Sequence, residues 1–156
     1  MKKDILPALV LILAAGFFAV SLTAHSAHAQ SGDMDDTEAV HAAVVDYVEA
    51  LYSVEPERIA RSVSTDLVKF GWFKSNGAYV PAPMTYEQLV RLAGSWNRDN
   101  RQNITDETVR DIVVYDVLDK TAVAKLTAQW GIDYFQLEKI DGTWKIRHIL
   151  WQSHPD

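Results

Sequence analysis

The chain has no cysteine at any of its 156 positions. No disulfide, thiolate metal site or lipid-modified cysteine is therefore available, and a hydrophobic core alone must hold the fold. Basic runs are missing too. Lysine and arginine total 15 against 21 aspartate and glutamate residues, a formal charge of −6 with no basic stripe. A surface of that sign repels phosphate backbones and anionic headgroups, which argues against nucleic acid and anionic lipid as partners. Glycine is sparse, at 7 residues, and neither a phosphate-cradling glycine loop nor a nucleophile-elbow pattern occurs. His41, His148 and His154 show no metal-ligand spacing, so no metal and no cofactor is expected.

Long apolar runs number one, and it lies at the start. Lys2 and Lys3 precede the run from Ile5 to Leu22, and the small-x-small triplet Ala27-His28-Ala29 follows it. That order reads as a signal peptide over residues 1–29, cut after Ala29, on a protein exported to the periplasm or secreted. The competing reading is an uncleaved anchor, since the run is just long enough to cross a bilayer. Pro7, Gly16 and the cleavage triplet favour removal, after which no stable membrane insertion is expected. Residues 30–156 then form one domain of a size that buries about two-thirds of its unfolded surface.

Asp35, three residues before Glu38, resembles a capping box. Val40, Val44, Tyr47, Val48 and Leu51 follow at helical spacing, which predicts a helix to about Tyr52. Pro56 suits the first turn of a second, short helix carrying Ile59, Ala60 and Val63. Leu67–Phe73 reads as a strand, and Asn76-Gly77, Pro81 and Pro83 as a loop. Thr85 with Gln88 caps a third helix on Tyr86, Leu89, Val90, Ala93 and Trp96. Four strands are expected after a polar connection: Val109–Leu118, Ala122–Trp130, Asp133–Ile140 and Thr143–Gln152. The Asp141-Gly142 dipeptide fits a two-residue hairpin and pairs Ile140 with Thr143, which sets Phe135 opposite His148. A weaker turn at Asp119-Lys120 places Tyr115 opposite Ala124. Helices first and strands last predict an α+β fold.

Alternation along the strands sorts the two faces. The face toward the helices is predicted to carry Val113, Tyr115, Val117, Ala124, Leu126, Ala128, Trp130, Phe135, Leu137, Trp144, Ile146, His148 and Leu150. The opposite face receives Ile112, Val114, Thr127, Gln129, Tyr134, Gln136, Arg147, Ile149 and Trp151. It is too apolar for a solvated surface, so Tyr134, Ile149 and Trp151 are candidates for a homodimer interface.

This order of elements resembles the nuclear transport factor 2-like superfamily, and more closely its bacterial branch labelled lumazine-binding, akin to SnoaL-like cyclases. Tyr47-Val48-Glu49-Ala50-Leu51-Tyr52, Pro56-Glu57-Arg58-Ile59, Asp119-Lys120-Thr121-Ala122, Asp133-Tyr134-Phe135-Gln136-Leu137, Asp141-Gly142-Thr143-Trp144-Lys145-Ile146 and Trp151-Gln152-Ser153-His154-Pro155 carry the likeness. The resemblance implies a cone: a curved antiparallel sheet wrapped by three helices from the N-terminal half, with a pocket between them and a dimer through the outer sheet face. The superfamily hosts isomerases, dehydratases, cyclases and non-catalytic modules, so it leaves function open.

Two sets of residues suggest what the pocket does. Trp72, Trp96, Tyr115, Trp130, Phe135 and Trp144 are candidate walls, and flat rings of this kind suit a small hydrophobic or aromatic molecule. His148, Asp133 and Tyr47 are a candidate catalytic set, a carboxylate-oriented imidazole with a phenol donor, able to assist an isomerisation, dehydration or cyclisation. The plainer alternative makes His148 a hydrogen-bonded core residue and each ring a space-filler. Ketosteroid isomerase-like members place a carboxylate base on the first strand, whereas Lys69 is the only ionisable group of Leu67–Phe73. The expectation is an exported ligand-binding domain, with a cofactor-independent enzyme and a dimeric interaction module as alternatives.

Overall fold

The computed structural model describes residues 35–156; the signal-peptide expectation for residues 1–29 lies outside them. Three helices come first: α1 (Asp36–Tyr52), α2 (Glu57–Ser62) and, later, α3 (Tyr86–Ala93). The Asp35 carboxylate accepts from the Thr37 backbone N–H and caps α1, with Asp36 and Glu38 in the first turn at the positive end of the helix dipole. Thr85 and Gln88 close a complete capping box on α3. Among the described residues no helix is long and apolar enough to cross a membrane.

Six strands make one sheet: β1 (Val63–Ser75), β2 (Ala78–Pro81), β3 (Arg110–Val117), β4 (Thr121–Ala128), β5 (Gly131–Ile140) and β6 (Thr143–Gln152). Their spatial order is β2-β1-β6-β5-β4-β3. The chain leaves β1–β2, crosses through α3 to the far edge, and meanders back until β6 lies beside β1. That last pairing is parallel, so the sheet is mixed, whereas the resemblance implies a wholly antiparallel one. Alternation within a strand carries no information about the direction of a neighbour eighty residues away.

The segment that reads as a loop contains β2. Asn76 (φ 51°) and Gly77 (φ 78°) form the turn, and Ser75 pairs with Ala78. Positive φ at both central residues is the requirement of a type I′ hairpin, which asparagine and glycine meet at low cost. All four β2 residues are exposed, so no buried face marks the strand in the sequence.

Two β-bulges decide which side chains face the helices. In β5–β6 the turn pairs Ile140 with Thr143 as expected, but the register shifts from Leu137↔Ile146 to Gln136↔His148, leaving Arg147 as an extra residue. Because side chains alternate with period two, one extra residue inverts everything beyond it. Ile149 turns inward, 2% exposed, while Leu150 turns out at 56%. His148 is exposed, and its Nδ1 sits 2.8 Å from Gln136 Oε1 on the outer face. In β3–β4 the register shifts between Val114↔Ala124 and Asp116↔Val123, which makes Tyr115 the extra residue, 56% exposed. Ile112 and Val114 pack against the core instead. The inward face is otherwise as alternation predicts: Ala122, Ala124, Leu126 and Ala128 of β4, Phe135 and Leu137 of β5, and Trp144 and Ile146 of β6 are all buried. α1 lies over β3, β4 and β6 of the sheet.

Candidate functional site

A cavity of about 600 Å³ opens between the helices and the sheet. Tyr47 and Leu51 reach it from α1, Lys69 and Phe73 from β1, and Leu92 from α3. Met84, Trp96, Gln102, Gln129, Trp130 and Trp151 complete the lining. The volume falls in the range of small-molecule pockets, and the lining has their usual composition, apolar and aromatic with few polar groups.

The rings hold one another by edge-to-face contacts. Trp130 meets Trp96 at 5.3 Å and 85°, Tyr52 at 5.6 Å and 80°, and Tyr47 at 6.2 Å and 73°. Tyr52 stacks on Trp96 at 5.8 Å. Its hydroxyl donates to the Val109 carbonyl at 2.7 Å and accepts from the Gln129 N–H at 2.8 Å, which ties α1 to the β4–β5 turn. Quadrupole-matched contacts of this kind add about 0.5–1.5 kcal/mol per pair beyond burial. The rings therefore brace one another along the wall.

One charged group lies in the floor. Lys69 points inward from β1 with its side chain 4% exposed, and its Nζ donates to Tyr47 Oη at 2.8 Å and to Asp133 Oδ1 at 3.2 Å. Asp133 is 0% exposed and takes a second hydrogen bond, 2.7 Å long, from Trp130 Nε1 on its other oxygen. The sheet register explains the meeting. Lys69 pairs with Ile149, and Gly71, one step along on the same face, pairs with Trp151, which in turn pairs with Asp133. A Cβ on Gly71 would fall inside the Trp151 indole, so the missing methyl lets that ring lie on the β1 backbone. Trp151 then passes 5.1 Å from the ammonium, a cation–π distance. Its Nε1 is buried without a partner.

Burial dominates the titration of this cluster. Desolvation lowers the Lys69 pKa below 10.5, although the Asp133 charge and hydrogen bond oppose it. Tyr47 is pushed well above 10, first by burial and then by the Asp133 charge and hydrogen bond. The phenol stays protonated throughout the physiological range.

The candidate residues of the sequence thus separate. Tyr47 and Asp133 come together, joined by Lys69, whereas His148 lies on the opposite face of the sheet, beyond the Arg147 bulge. Trp96 and Trp130 line the cavity. Phe135 is buried behind Tyr47, ring to ring at 5.2 Å, and Trp144 is a core residue whose Nε1 donates to Asp36 at 3.0 Å. Tyr115 is exposed beside its bulge. Trp72 lies exposed beside Phe70, their rings 5.6 Å apart. Of the three interface candidates only Tyr134 is on the outer face. Ile149 is in the core and Trp151 walls the cavity, both inverted by the same bulge. Sequence reasoning names Lys69 only as the sole ionisable group of its strand and gives it no site role, although period-two spacing from Leu67 puts it on the buried side of β1. Among the described residues no group of three or more His, Cys, Asp or Glu side chains is placed to hold a metal ion.

The profile of a family described as "Putative lumazine-binding" matches residues 35–152. Solved structures share the fold at low identity. A nuclear transport factor 2-like protein of unknown function from Methylobacillus flagellatus superposes with a TM-score of 0.58 at 20% identity, covering 78% of this chain and 94% of that one. One from Silicibacter pomeroyi gives 0.56 at 15%, covering 74% and 93%. A nuclear transport factor 2-like protein with a cystatin-like fold from Novosphingobium aromaticivorans gives 0.53 at 13%, covering 76% and 81%. No curated protein matches the chain.

Proposed function

The chain belongs to the family described as "Putative lumazine-binding", and on that premise we propose that it binds a small, planar, largely apolar molecule in the aromatic cavity. The observation that carries the reading is the wall of Trp96, Trp130 and Trp151 around the buried Lys69 ammonium. Rings already locked by their neighbours lose little entropy on binding, and a flat ligand fills the space between them. The low match to solved structures supports the fold only, so the chemistry rests on the cavity itself. The N-terminal pattern of residues 1–29 supports an exported setting for this activity.

Titration of tryptophan fluorescence with lumazine and a panel of planar heterocycles and aromatic carbonyl compounds tests the reading. A ligand should quench the emission saturably and raise the unfolding temperature, with about 2.7 kcal/mol of added stability at a hundredfold excess over Kd. A flat response in both assays across the panel would refute it.

A second reading concerns the outer sheet face. Phe70, Leu150 and Tyr134 are consecutive cross-strand neighbours there, and all three are exposed. Large apolar side chains in register suit an isologous contact with a second copy. Leu150→Asp should lower the mass seen in sedimentation; an unchanged mass that is already monomeric in wild type removes the proposal.

A further inference from the structure

Lys69 invites a sharper assignment within the same cavity. An sp³ amine nitrogen has three positions besides its bond to carbon. Protein groups take two of them, Tyr47 Oη and Asp133 Oδ1. The side chain nonetheless belongs to the cavity lining. The third position carries an N–H when the group is an ammonium; once a proton has passed to Asp133, rotation about the Cε–Nζ bond brings the lone pair to that position. Burial favours the uncharged amine, with the Nζ enclosed between the Tyr47 and Trp151 rings at 5.4 Å and 5.1 Å from their centroids, and a buried carboxylate stands at hydrogen-bond distance to receive a proton. A desolvated lysine with an adjacent proton acceptor is the usual arrangement for attack on a carbonyl.

We propose that the cavity takes an aromatic aldehyde or ketone and that Lys69 condenses with it to form an imine. This rests on the reading of the cavity as a ligand site. In the step, Asp133 Oδ1 receives one proton from the Lys69 ammonium, and the amine lone pair forms the N–C bond at the carbonyl carbon. The carbonyl oxygen gathers two protons, the one held by Asp133 and one from nitrogen, and the C–O bond breaks to release water. Ammonium plus carbonyl thus becomes iminium plus water, with no change in charge or oxidation state. Tyr47, protonated throughout, accepts from Nζ and holds it in place; it is a positioning residue.

The full chain is incubated with one equivalent of 2-naphthaldehyde and treated with sodium borohydride, which reduces an iminium to a stable secondary amine. The adduct is then located by peptide mass mapping. The expected result is a naphthylmethyl group on Lys69 at ten or more times its level on the exposed Lys120. The Lys69→Arg variant keeps the positive charge opposite Asp133 but cannot form an imine, so it should lose the enriched adduct. Label spread evenly over the lysines, with quenching intact, overturns the imine while the ligand site stands. Even label without quenching overturns both. Mapping on the wild-type chain separates these outcomes even if the variant does not fold.

Discussion

Replacing Lys69 by methionine keeps most of the side-chain length and removes the charge, which isolates the electrostatic role of the ammonium. Asp133 would then be a carboxylate with 0% exposure and no countercharge. Breaking a buried pair from one side costs about 3–5 kcal/mol, because the remaining ion keeps its desolvation penalty without its partner. One hydrogen bond stays in place, from Trp130 Nε1 at 2.7 Å, so the lower part of that range is expected. Against a total stability of about 5–15 kcal/mol this is a large fraction. With a urea slope of about 2 kcal/mol/M, the midpoint should fall by roughly 1.5–2 M at unchanged slope. Urea melts followed by far-UV circular dichroism measure it. The companion variant Lys69→Met/Asp133→Asn removes both charges and keeps an acceptor for Trp130, so it should regain about 2 kcal/mol or more. A double variant as unstable as the single one, or a single variant within about 1 kcal/mol of wild type, would refute the description of this pair as a mutually dependent buried ion pair.

Gly71→Ala places a methyl group inside the Trp151 indole; it should cost about 1–3 kcal/mol, as overpacking does, and weaken the near-UV circular dichroism of the cavity wall. The Tyr47 phenol is held well above 10. An unfolded chain therefore ionises first, and the stability this group contributes is present below pH 10 and is lost as pH rises further. Urea midpoints of wild type and Tyr47→Phe should converge above pH 10, Lys69 being common to both; parallel curves would contradict the assignment. Thr85→Ala removes the acceptor for the Gln88 N–H and should cost about 1 kcal/mol, measured in the same melts.

Helices are legible where periodicity and caps agree. Asp35 and Thr85 mark the starts of α1 and α3, and the buried stripe of α1 is the one its spacing predicts. Hairpin turns are legible where asparagine or aspartate precedes glycine, although Asn76-Gly77 reads as a loop because the exposed β2 shows no alternation. Family membership and the α+β fold follow from the same residues. The faces of β3 and the end of β6 are not legible, because a bulge leaves no mark in composition, and Tyr115 and Arg147 are ordinary strand residues. The candidate site suffers accordingly. Tyr47 and Asp133 lie on unbulged segments and meet as expected, while His148, Ile149 and Trp151 lie beyond a bulge and fall on the faces opposite to those alternation assigns. Lys69 escapes notice for another reason. A lysine on an apolar strand face looks misplaced until Asp133, sixty-four residues away, supplies its charge partner.

The extra residue at Arg147 lets one strand serve two interiors. Before it, Trp144 and Ile146 fill solid core; after it, Trp151 borders empty space. Deleting Arg147 would therefore leave Ile149 and Trp151 facing inward, so the extra residue matters only while the strand keeps it. Straightening the strand with Arg147 kept would instead draw an imidazole in and push the Trp151 indole out, and the hollow would lose a ring from its wall.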